Sequence, residues 1–262
     1  MKKIFSRILL FILIITPCLV KAQSVNRFLK TGIGTGFLSV RDKGMSPLLY
    51  TGAGYFSSQA YVSVSEKKTN SLKLDLTYGR VKNKKFGILH NSRVEITYSH
   101  LRKVINNERL DLFIGGSLGF LGAYRYQPFF LNSAHNYEII QSVEITTSAN
   151  YVVPLYQKNI IFSGSINIPI ISAVIRPAYA SPLPNGFQTF SYEFTEAYWR
   201  SNEMMTLNRF IRINTCFSAN YPIFERDLMS LSYSWDFYTI QTENPVIFAG
   251  HTVLLSFFIY LK

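Results

Sequence analysis

His90 and Ser92 stand two residues apart in GILHNSRVEITYSH (87–100). On an extended strand that spacing puts both side chains on one face. A histidine that takes the proton of a serine hydroxyl turns that hydroxyl into a nucleophile toward an ester. The pair is therefore the candidate catalytic set. No group that would orient the imidazole stands beside it: on the flanking segments the same face carries Tyr78, Leu118 and Phe120. Metal chemistry has less support, because His90, His100, His135 and His251 are dispersed and Cys216 stands alone in its region. No metal and no cofactor is expected. Gly32, Gly34 and Gly36 alternate instead of forming a phosphate-cradling loop; they read as positions that relieve crowding or curve a sheet.

A second set of chemical residues shares one parity of extended segments. In LMSLSYSWDF (228–237), Met229, Leu231, Tyr233, Trp235 and Phe237 alternate with Ser230, Ser232, Ser234 and Asp236. Strict period two makes a strand with one apolar and one polar face. Similar segments fall at about 29–39, 49–65, 70–80, 87–102, 109–123, 139–152, 159–168, 207–221 and 247–261. In the second of them the apolar set is Phe56, Ala60, Val62 and Val64. Across the ten segments the polar parity collects Lys73, Asp75, Arg93, Glu95, Asp111, Glu144, Arg212 and Asp236. Both signs are present, so these residues predict an internal ion-paired network.

The apolar faces could meet a protein core or lipid. Several segments reach ten residues or more, whereas strands of soluble domains average about five or six and a tilted strand crossing a bilayer needs about 9–11. The connections alternate too. EKKTN (66–70), RKVINNE (102–108), VPLYQKN (153–159) and PIFERD (222–227) are compact and polar, while the other series includes 124–138 and 169–206. Most prolines fall in connections. Pro169 does not, so its segment either ends near Ile168 or carries a bulge. Tyr78, Tyr98, Tyr124, Tyr126, Tyr221, Tyr238 and Tyr260 sit at strand ends.

The chain opens with Lys2, Lys3 and Arg7, then an apolar run (Leu9 to Thr16), then Val20 and Ala22 in small-residue cleavage positions. That predicts a signal peptide over 1–22 and one exported domain over 23–262. The net charge is +12, and it falls to +8 without Lys2, Lys3, Arg7 and Lys21. A basic exported protein points away from nucleic acid and toward anionic lipid. No later stretch is long and apolar enough for a helical span.

In length, alternation and connection pattern the whole 23–262 region resembles the outer-membrane β-barrel proteins of Gram-negative bacteria. The resemblance implies an antiparallel transmembrane barrel of about ten strands, with both ends on the periplasmic side. It implies outer-membrane lipids, lipopolysaccharide and the barrel-assembly machinery as partners. Such barrels commonly end on an aromatic residue, whereas this sequence closes on Tyr260-Leu261-Lys262. GRVKNKKFG (79–87) would then face lipopolysaccharide with Arg80, Lys82, Lys84 and Lys85. The His-x-Ser pair is similar to that of the outer-membrane phospholipase and lipid A deacylase families. The phospholipase motif continues with Asn-Gly, where this chain has Arg93-Val94. A narrow barrel of this kind is filled by side chains. The leading expectation is a non-enzymatic role: binding of a small solute, narrow transport or envelope assembly. A lipid esterase acting through His90 and Ser92 is the alternative, and a soluble periplasmic β-sandwich the third.

Overall fold

The computed structural model describes residues 25–84, 87–155, 158–176, 201–224 and 227–261. The expected signal segment, Lys85, and Phe187, Phe190, Tyr192, Phe194, Tyr198 and Trp199 of the long insert lie outside the described residues. Eleven strands follow in order: β1 (Asn26–Asp42), β2 (Ser46–Val64), β3 (Lys68–Asn83), β4 (Gly87–Asn106), β5 (Leu110–Tyr126), β6 (His135–Leu155), β7 (Lys158–Ile175), β8 (Asn202–Thr206), β9 (Phe210–Pro222), β10 (Leu228–Ile240) and β11 (Val246–Leu261). Every neighbour pairs antiparallel, β1 pairs with β11, and β6 pairs with β7, so the sheet closes on itself. β9 pairs with the lower part of β7 and β8 with its upper part. Together they make one stave, and the barrel has ten. A soluble sandwich is thereby excluded.

The register fixes the shape. From Gly32 the ladder leads through β11, β10 and β9 to Ile161, and in the other direction through β2 to β6 to Val174. Setting aside Ile170, the two arrivals differ by roughly twelve residues, the stagger that tilted strands need to close. At Gly36 the seam is so tight that a Cβ would lie 2.0 Å from the His251 carbonyl oxygen.

Pro169 does not end its strand. β7 runs through it to Ile175, with Glu144 opposite Pro169 and Val143 opposite Ile171. Ile170 is the extra residue of a bulge, which absorbs the missing N–H. The eighth segment begins earlier than its alternation shows, because β8 lies above a turn at 207–209. The connection expected over 124–138 shrinks to 127–134, which contains a short 3₁₀ turn. In β2 the faces are the reverse of those expected: Ala60 is buried and Phe56 packs on the core, while Tyr55 and Tyr61 point outward.

Polarity inverts along the staves. Through the middle and lower barrel the outer face is apolar, with Ile33, Leu72, Ile96, Leu118, Ile145, Ile166, Leu231 and Leu255 exposed. This is the lipid-facing belt of a membrane barrel. Toward the ends carrying the long connections the arrangement is that of a water-soluble protein. Leu38, Val40, Val81, Leu89, Leu121, Ile140, Ile240, Val246 and Phe248 form an internal core, and Ser39, Arg41, Arg80 and Lys82 take the outward parity. Each fully buried side chain of that core contributes about 1.5–3 kcal/mol.

Candidate functional site

The lumen holds the chemistry, and the alternation of the strands puts it there. At mid-height β4 directs Arg93 and Glu95 inward, β9 directs Arg212, and β10 directs Asp236. Arg93 donates to Asp236 at 2.7 Å; Arg212 donates to Asp236 at 2.9 Å and to both Glu95 oxygens at 2.8 Å. These four of the expected network residues form one quartet across the bore. The other four, Lys73, Asp75, Asp111 and Glu144, are placed elsewhere. Asp75 pairs with Lys73 at 2.7 Å, Asp111 pairs with Lys103 at 2.8 Å, and Glu144 accepts from Ser142 at 2.6 Å.

Directly above the quartet an aromatic layer closes the bore. The Arg93 guanidinium lies 4.0 Å from the centre of the Phe248 ring and 5.4 Å from that of Tyr238. Those two rings stack at 5.1 Å. The Tyr238 hydroxyl continues upward and donates to Glu138.

That hydroxyl belongs to a second network which sequence reasoning missed. Arg125 donates to Glu138 at 2.7 and 3.2 Å, to Asp42 at 3.0 Å and to the Tyr238 oxygen at 2.9 Å. Arg176 and Asn136 also donate to Asp42. Arg125 and Glu138 are fully buried, and Asp42 is 2% exposed. All lie just past the ends assigned from alternation. Parity alone could have found two of them, since Arg125 shares the face of Ser117 and Glu138 that of Glu144.

Below the quartet a cavity of about 240 Å³ opens, lined by Lys30, Lys73, Asp75, Cys216 and a set of serines and amides. Its wall on the side of the short turns is wet, since the Lys73 side chain keeps 36% of its surface. This lower part of the lumen forms a vestibule.

His90 and Ser92 both take the outward parity, near the upper edge of the belt. Nothing bonds one to the other among the described residues. Instead His90 Nδ1 shares a hydrogen bond with the Tyr78 hydroxyl at 2.9 Å. Tyr124 with His135, and Tyr233 with His251, repeat that diagonal pairing. Tyrosines and histidines at this height form an interfacial girdle. Arg80 and Lys82 project from β3 at and just above it, and Lys84 is exposed in the following turn. Among the described residues, no carboxylate comes within ion-pair distance of these three.

A closed ten-stave barrel with an apolar outer belt and a polar bore is an outer-membrane β-barrel, and the outer membrane is where this protein resides. No protein-family model matches the chain, and no curated relative matches it. Among solved structures it is similar to the translocator domain of the autotransporter NalP from Neisseria meningitidis, at 9% identity over 98% of this chain and 94% of that one (TM-score 0.38). It is also similar to the outer-membrane protease OmpT from Escherichia coli, at 8% identity over 94% of this chain and all of that one (TM-score 0.47). A Pseudomonas aeruginosa FadL homologue matches at 8% identity over 90% of both chains (TM-score 0.33). These likenesses concern architecture alone.

Proposed function

We propose that this protein is a closed, non-enzymatic outer-membrane barrel that binds a ligand from the periplasmic side and does not conduct. The observation that supports this reading is the continuous closure of the bore, from the Arg93–Glu95–Arg212–Asp236 quartet through Phe248 and Tyr238 to the buried Arg125–Glu138 pair. An open pore needs water along its axis; here buried rim side chains such as Leu38, Val81, Leu121, Tyr238 and Phe248 occupy the upper lumen, which supports closure. On the outside, the position of Arg80, Lys82 and Lys84 at and just above the girdle supports a contact with the phosphates of lipopolysaccharide.

Single-channel recording in planar bilayers tests the closure, on protein first shown to be folded by its heat-shifted gel mobility. Folded protein is expected to be silent. Discrete, reproducible current steps would overturn the reading and make Arg93 and Arg212 candidate selectivity residues.

A further inference from the structure

We infer that the vestibule binds a small hydroxylated anion, a molecule of about monosaccharide size with one carboxylate or one phosphate. The inference rests on the closed-lumen reading and names the ligand class that it leaves open. It begins with the charges on the cavity wall, which are Lys30, Lys73, Arg93, Asp75, Glu95 and Asp236. Five of them are committed. Lys73 holds Asp75 at 2.7 Å, and Arg93 and Arg212 hold Asp236 and Glu95 at 2.7–2.9 Å. Lys30 is the exception. Among the described residues no carboxylate lies within ion-pair distance of its ammonium, which rests 5.0 Å above the Phe258 ring. A ring face attracts a cation but takes none of its protons in a strong hydrogen bond. One positive charge therefore faces the cavity with its donors unspent, and a single anionic group on a ligand completes it.

The neutral lining supplies the second half of the recognition. Ser58, Ser165, Ser232, Thr252, Asn167 and Asn214 present hydroxyls and amides to the same space. These groups donate and accept, as a polyhydroxylated molecule requires. The size agrees: at about 30 Å³ per water, the space holds roughly eight waters or one small sugar acid or sugar phosphate. Entry is from the periplasm, because the wall above is sealed.

Cys216 lines the same cavity and reports on it. With Cys18→Ser in the full chain, Cys216 is the one thiol. The rate of its modification is measured on folded protein with two methanethiosulfonate reagents of equal size, one a sulfonate and one a trimethylammonium. The anionic reagent is expected to react faster, on the order of fivefold, as one unshielded charge in a partly screened cavity produces. D-Gluconate or glucose 6-phosphate at millimolar concentration should slow both reagents. Lys30→Met should abolish the preference and the protection, while Lys30→Arg should keep them. Equal rates, a preference for the cation, or no protection of the unsubstituted chain by either compound would overturn the inference, and that last measurement does not depend on any variant folding. The closure fails separately: current steps with protection intact would leave the site in an open pore, and silence without protection would remove the site alone.

Discussion

Arg125→Met subjects the upper network to its hardest test. The guanidinium makes two hydrogen bonds to Glu138, one to Asp42 and one to the Tyr238 oxygen. Methionine keeps most of the volume and none of the charge. Asp42 retains Arg176, Asn136 and the Gly44 N–H. Among the described residues Glu138 is left with the Tyr238 hydroxyl as its one remaining donor, and it stays fully buried. Breaking a buried pair in this way costs about 3–5 kcal/mol, mostly from the charge left behind. The expected loss lies toward the lower end, because one of the two carboxylates keeps a cation. Urea unfolding in lipid vesicles, followed by the folded and unfolded gel bands, reads it as a lowered midpoint with an unchanged slope. The double variant Arg125→Met/Glu138→Gln removes the stranded charge and should recover on the order of 2 kcal/mol relative to additivity. A loss below about 1 kcal/mol for Arg125→Met, or strict additivity in the pair, would refute the argument that buried charge compensation holds this rim together.

Two further expectations concern the outer surface. Ile33 is 72% exposed on the belt, so Ile33→Arg should destabilise the barrel in vesicles by about 2–4 kcal/mol; a change under about 0.5 kcal/mol would place Ile33 outside the hydrocarbon. Arg80→Glu with Lys82→Glu should slow folding into lipopolysaccharide-containing vesicles several-fold and leave folding into zwitterionic vesicles unchanged; equal effects in both would remove the lipopolysaccharide contact.

What the sequence made legible follows from where its pattern keeps one phase. Between the girdles, apolar-out and polar-in hold for most staves, and there Arg93, Glu95, Arg212 and Asp236 share the inward parity that alternation assigns. Above the upper girdle the phase inverts. Val40 turns inward beside Arg41 turning outward, and Val81 turns inward between Arg80 and Lys82. A reading that follows the apolar parity stops at that point, and so stops short of Asp42, Arg125 and Glu138. β2 fails for a related reason. Tyr55 and Tyr61 count as polar by type but face outward, while small Ala60 fills the bore. Two features break the period altogether. The bulge at Ile170 shifts β7 by one residue, and the turn at 207–209 splits a stave in two. The vestibule was out of reach for another reason, since its lining comes from staves distant in sequence and only closure brings them together.

The inversion of polarity gives one barrel two kinds of temperature dependence. The rim is held by apolar burial out of water, which carries a large heat-capacity change and weakens on cooling. The belt meets hydrocarbon on its outer face in every folded conformation, so transfer from water contributes little to holding it shut. Cold therefore loosens the rim while the belt stays closed. The buried Arg125–Glu138–Asp42 cluster does not draw on that apolar term, so its share of the rim's stability does not fade with the surrounding core on cooling.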